Sequence, residues 1–184
     1  MINMVKNVLP HSALKTLYLT MIQPYLMNGI HVWGNSVHVH KIFNLQKRAI
    51  RIVNNKAYRS HTEPLFKSEN ILMLKDLYTF QILLFMHDLN NSVLPLSFNN
   101  FATKNREYID RTTRQSSLYH TKRPRTNFSS KLPNHAFPRM WNALNEELRN
   151  TNDRKMFKRK CSTSFIDSYS ISITCNNPHC QECH

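Results

Sequence analysis

Three cysteines and two histidines close the chain as Cys175-x4-Cys180-x2-Cys183-His184, with His179 directly before Cys180. Zinc takes four thiolate or imidazole ligands in a tetrahedron, and a C-x2-C pair supplies two of them from one turn. Adjacent residues rarely both ligate. The candidate set is therefore Cys175, Cys180 and Cys183 with either His184 or His179 as the fourth ligand. The usual second half-site, about a dozen residues away, is absent, and free thiols in an unstructured tail are the competing reading. A zinc here would fold a small nucleic-acid-binding knuckle, with no catalytic part. Other chemistry is thin. The five aspartates (76, 88, 110, 153 and 167) are never adjacent, so they form no carboxylate pair of the kind a two-metal site needs. His38-Val39-His40 has no carboxylate beside it and reads as an exposed helix start, while Cys161 reads as a small semi-buried side chain. No nucleophile sits in a glycine-rich elbow. With glycine only at 29 and 34, phosphate-binding loops of the nucleotide type are excluded in their usual form. No catalytic residue is assigned.

The stronger chemical signal is positive charge. Lys and Arg number 25 against 11 Asp and Glu, a formal net charge of +14, and such an excess calls for a polyanionic partner. Each cation that neutralises a phosphate releases a condensed counterion, which gives affinity with strong salt dependence and little sequence preference. Candidate contacts are Lys47, Arg48 and Arg51 on one helix, and Arg111, Arg114, Lys122, Arg123 and Arg125 in a basic stretch. Arg154, Lys155, Lys158, Arg159 and Lys160 follow near the end. The bland alternative is that these charges only solvate exposed faces. Tyr108, Tyr119 and Phe128 interleave with the basic stretch and either stack on bases or tuck onto the helical body.

The elements that must position these groups are helical by periodicity. Ser12 is placed to cap a helix running through ALKTLYLTMIQ. Pro24 should kink it or force a boundary. Asn28-Gly29 offers a left-handed cap or a tight approach to a neighbour, Gly34 a stop, and Trp33 an anchor for the junction in the core. A helix is expected over 38–54 with Ile42, Leu45, Ala49, Ile52 and Val53 as its apolar stripe. Thr62 is the expected N-cap of the next helix, with Pro64 in its first turn. A helix over about 70–91 is apolar round most of its circumference, which predicts burial against several neighbours. Residues 102–131 then carry eight Lys or Arg against Glu107 and Asp110 and lose apolar periodicity, the pattern of an extended or flexible basic linker. Helical signal returns at 137–150 and 153–169. No apolar run reaches the roughly 18–20 uninterrupted residues of a membrane span. The N-terminus MINMVKNVLPHS lacks the layout of a secretory signal. An intracellular protein, nuclear or cytoplasmic and without membrane partners, is expected.

Taken in order, ALKTLYLTMIQPYLMNGIHVWG, KIFNLQKRAIRIV, HTEPLFKSENILMLKDLYTFQILLFM and MWNALNEELRN followed by FKRK resemble the C-terminal part of a non-LTR retrotransposon reverse transcriptase, of the LINE-class, jockey-like type. The resemblance covers about residues 9–170 and rests on the succession of the blocks; Leu144-Asn145 stands where the family has Leu-Pro. It implies a mainly α fold: a helical thumb-like domain (1–101), a basic linker (102–131), a C-terminal helical pair (132–170) and a Cys/His-rich tail (171–184). It further implies RNA or DNA as partner, held as a primer–template duplex, and an association with the missing fingers and palm of the same polyprotein. The chain lacks the Tyr/Phe-x-Asp-Asp turn of these RNA-directed DNA polymerases. The expectation is therefore a nucleic-acid-binding fragment of a mobile-element protein, beginning after the polymerase chemistry and not active alone. The competing expectation is an inactive structural or protein-interaction remnant.

Overall fold

The computed structural model describes residues 2–108 and 114–169. Those residues are mainly helical and contain no strand, the sole β feature among them being an isolated antiparallel bridge between Lys104 and Tyr119. The chain divides into two compact units, Met1–Tyr78 with the chain from Ser162 onward, and Thr79–Cys161.

The first unit begins with α1 (Ile2–Val5) and α2 (His11–Leu17). Pro10 occupies the N-cap position of α2, so the helix starts one residue before Ser12 and Ser12 does not cap it; its carbonyl accepts from Thr16 Oγ1 instead. Tyr18–Ile22 then winds as a π-helical turn directly ahead of α3 (Gln23–Met27). Pro24 explains this widening. Its nitrogen has no proton to return to the preceding turn and its ring crowds that turn's carbonyl, and a π-bulge accommodates both without breaking the helix. α4 (Ile30–Trp33) follows through Gly29, which has φ of 62°. Gly34 has an ordinary φ, yet a Cβ there would lie 2.3 Å from Tyr78 Cδ2 and 2.6 Å from the Ile30 carbonyl oxygen. Trp33 is half-buried rather than set in the core, and its indole N–H donates to the Asn28 carbonyl at 2.8 Å, closing the loop across Gly29.

α5 (Val39–Val53) buries Gln46, Ala49, Ile50 and Val53. The buried stripe is thus turned from the expected one, and Leu45 is 64% exposed. Gln46 accounts for the turn. Its Nε2 donates to Tyr18 Oη and the Leu72 carbonyl, each at 3.0 Å, while its Oε1 accepts from Leu74 N–H at 2.8 Å. A fully bonded amide is tolerated in the core, so polarity at this position does not mean exposure. α6 (Glu63–Glu69) has Thr62 at its N-cap position and ends on Asn70 in the left-handed conformation, with Ile71 N–H closing on the Phe66 carbonyl. Buried Glu69 accepts from His11 Nε2 at 2.9 Å and pairs with Lys15 at 3.2 Å.

α7 (Leu74–Asn90) is the longest helix described and is buried at ten of its positions, from Leu74 through Asp88, round its circumference. It begins in the first unit and runs into the second. There Phe85 meets Phe98, Phe101 and Phe137 edge-on at 5.2–5.7 Å. After a 3-10 turn (Leu96–Phe98) come α8 (Asn105–Tyr108), α9 (Asn127–Lys131), α10 (Pro133–Asn142), α11 (Glu146–Arg149) and α12 (Arg154–Asp167). Asp153 caps α12, its carboxylate accepting from the Lys155 and Met156 N–H groups. At the other end of α12, in the first unit, Lys67 Nζ donates to the Asp167 and Tyr169 carbonyls, and Tyr169 Oη accepts from Met73 N–H and donates to Asp76.

Candidate nucleic-acid interface

The cations on α5 divide by surroundings. Arg48 is exposed. Lys47 is half-buried with its ammonium 4.5 Å from the Phe43 ring centre. Arg51 donates through Nε to the Ser60 carbonyl at 2.8 Å and lies over the Tyr58 ring. Lys47 and Arg51 thus already have neighbours that spend part of their binding capacity, and Arg48 presents its full charge to solvent.

The basic stretch is less free than a linker pattern implies. His120 N–H donates to the Thr103 carbonyl and Asn105 N–H to the Leu118 carbonyl, so 103–105 and 118–120 are held side by side. The Asn142 side chain on α10 then bonds both backbone groups of Tyr119, at 3.0 and 2.8 Å. Tyr119 is buried, which removes it from base stacking and leaves the tucked reading for that residue. Burial, with the Glu107 carboxylate, pushes its phenol up to about 12. Beyond this clasp, Lys122, Arg123 and Arg125 are exposed, as is Arg114; Phe128 is exposed as well. Arg111 lies outside the described residues.

On α12 the Arg154 guanidinium is committed. Its Nε sits 2.8 and 3.1 Å from the two oxygens of Asp88, and that bond together with the carboxylate's charge raises the Arg154 pKa. Asp88 is the residue that sequence reasoning missed here, because a lone acid inside an apolar helix gives no sign of which cation it faces. Lys155, Lys158, Arg159 and Lys160 are exposed, and none of them makes an ion pair among the described residues. Spacing of i, i+3 and i+4 puts Lys155, Lys158 and Arg159 on one face of the helix. On the helix's opposite side Phe157 is buried, stacked on His87 at 4.4 Å and packed near Trp141. Apolar packing on one side therefore turns the cations outward.

Among the described residues no group of three or more His, Cys, Asp or Glu could hold a metal. Cys175, His179, Cys180, Cys183 and His184 lie outside them. Cys161 is fully buried rather than semi-buried, and burial pushes its thiol up to about 11. His38 and His40 are both exposed, as the sequence led us to expect. No described helix is long and apolar enough to cross a membrane. In comparisons with known proteins, no family model, curated protein or solved structure matches the chain.

Proposed function

We propose that the chain is a nucleic-acid-binding, thumb-like C-terminal portion of a non-LTR reverse transcriptase, one that grips a primer–template duplex of RNA or DNA without carrying the polymerase site. The observation that supports it most is the basic surface of the second unit, Lys122, Arg123 and Arg125 with Lys155, Lys158, Arg159 and Lys160, exposed and without acidic partners among the described residues. Such groups bind phosphates by counterion release and read no base. The order of sequence blocks supports the family. The Cys/His tail fits a zinc knuckle adding a further nucleic-acid contact, and the compartment that fits is nuclear or cytoplasmic. The test is binding to a primer–template duplex at rising salt: steeply salt-dependent affinity supports the reading, and no binding at low salt overturns it.

A second reading has its own observation. Leu19, Met21, Tyr25 and Met27 are all exposed on the π-turn and α3, with Tyr25 80% exposed, and Leu19 and Met27 share one shallow groove with Pro24. Exposed large apolar side chains gathered in one segment mark an interaction site. In that reading the chain is a protein-interaction or structural remnant whose exposed face once met the polymerase palm. Self-association by light scattering without duplex binding would favour it.

A further inference from the structure

The second unit contains a polar notch of about 170 Å³ between the loop carrying Lys104 and Ser117, the end of α7 at Asn90, and α11 with Asn150 after it. Its size is below that of cavities for drug-sized ligands and suits a single small polar group. Trp141, itself buried, forms part of the wall. Two cations line the notch. Arg149 has its Nε buried with no hydrogen-bond partner among the described residues. Lys104 makes no ion pair among the described residues, its ammonium lying 5.9 Å from the Tyr119 ring centre. Among the described residues Glu146 is the one acidic residue lining the notch; it is exposed and pairs with neither cation.

We propose that this notch is a binding site for a phosphate group, held by Arg149 and Lys104 and oriented by Asn90, Asn150 and Ser117. The lining is rich in donors: a guanidinium fork, an ammonium, two carboxamides and a hydroxyl. A buried N–H on a charged group is costly until an acceptor reaches it, and a tetrahedral oxyanion matches the fork of an arginine better than any neutral acceptor. Burial and the nearby Arg106 both lower the Lys104 pKa, with Glu107 acting against them. An anion in the notch would counter that strain. The clasp of Asn142 on Tyr119 fixes the loop beside Lys104, so one wall is built before any ligand arrives. The proposal rests on these contacts and stands whether or not the chain binds a duplex.

The test is a ¹H–¹⁵N NMR titration of the full chain with inorganic phosphate, against chloride at matched ionic strength. Saturable shifts at Asn90, Lys104, Ser117, Arg149 and Asn150, including the Arg149 Nε–H resonance, are expected with phosphate and not with chloride. Lys104→Gln and Arg149→Gln should each weaken binding by roughly tenfold or more, the value of one charged hydrogen bond. Lys104 is the variant that keeps the test valid if Arg149→Gln unfolds. Oligonucleotides with and without a 5′-phosphate then separate the sources. A preference for the phosphorylated end assigns a terminal phosphate, equal shifts at the same residues assign backbone phosphates, and a response to inorganic phosphate alone assigns a free ion. Non-saturating shifts, shifts equal to those with chloride, or binding unchanged in both variants would overturn the site and leave a water-filled notch. Duplex binding that survives both substitutions, with phosphate binding also unchanged by them, would leave the proposed function standing while this site falls.

Discussion

Gly29 and Gly34 lie in one short loop and constrain it differently. Gly29 needs its positive φ, so Gly29→Ala should cost about 1–2 kcal/mol through backbone strain. Gly34 needs space, because a Cβ would strike the Tyr78 ring and the Ile30 carbonyl. Gly34→Ala should cost about 1–3 kcal/mol by overpacking. Urea unfolding of the two variants checks both, and an unchanged midpoint for Gly34→Ala would contradict the close approach. The need for two special positions was legible in the sequence; which constraint acted at each was not, since Tyr78 is distant in sequence. The terminal cysteines also belong at this scale. If the zinc reading holds, reduced full chain takes up one cobalt ion with thiolate absorption bands, lost in Cys180→Ser and kept in Cys161→Ser. Absence of stoichiometric uptake would leave free thiols.

Helices and their ends were the most legible elements, because 3.6-residue periodicity and Pro punctuation act locally. The expected helices over 38–54, 70–91 and 153–169 correspond to α5, α7 and α12 within a few residues. The buried side of α5 was not legible, because Gln46 looks like a surface residue until Tyr18, Leu72 and Leu74 surround its amide. The pinned start of the basic stretch was hidden for the same reason: Asn142 reaches Tyr119 from 23 positions away. Packing of this kind has a consequence in alkali. Burial pushes the Tyr18 phenol up to about 12 against 10.0 for a free tyrosine, and the Tyr169 phenol is raised by burial and by Asp76. With the folded pKa above the unfolded one, the contribution is complete below about pH 10 and is lost as pH rises towards 12. For Tyr18 the loss is roughly 1–3 kcal/mol. Thermal unfolding followed by circular dichroism at pH 9, 10.5 and 11.5 should show Tm falling over this window. Tyr18→Phe should fall less steeply. Parallel curves for the two proteins would contradict the role given to Tyr18.

At the scale of the whole molecule, an excess of 14 positive charges has to be reconciled with a helical chain that would otherwise repel itself. Composition points to a polyanionic partner. It could not separate committed from available cations, because Arg154 is matched by Asp88 and Arg51 by the Ser60 carbonyl only after folding. Six of the available cations on the second unit, Lys122, Arg123, Arg125, Lys158, Arg159 and Lys160, make the nucleic-acid proposal quantitative. If all six meet phosphates, the logarithm of affinity for a duplex should fall with the logarithm of salt at a slope of roughly −5. Fluorescence anisotropy with a labelled primer–template duplex, between about 50 and 200 mM salt, measures that slope most directly. The expected result is roughly a thousandfold loss of affinity over this range. In Lys158→Gln/Arg159→Gln the slope should become shallower by about 2. Binding undetectable at the lowest salt, or a slope the double variant leaves unchanged, would contradict it.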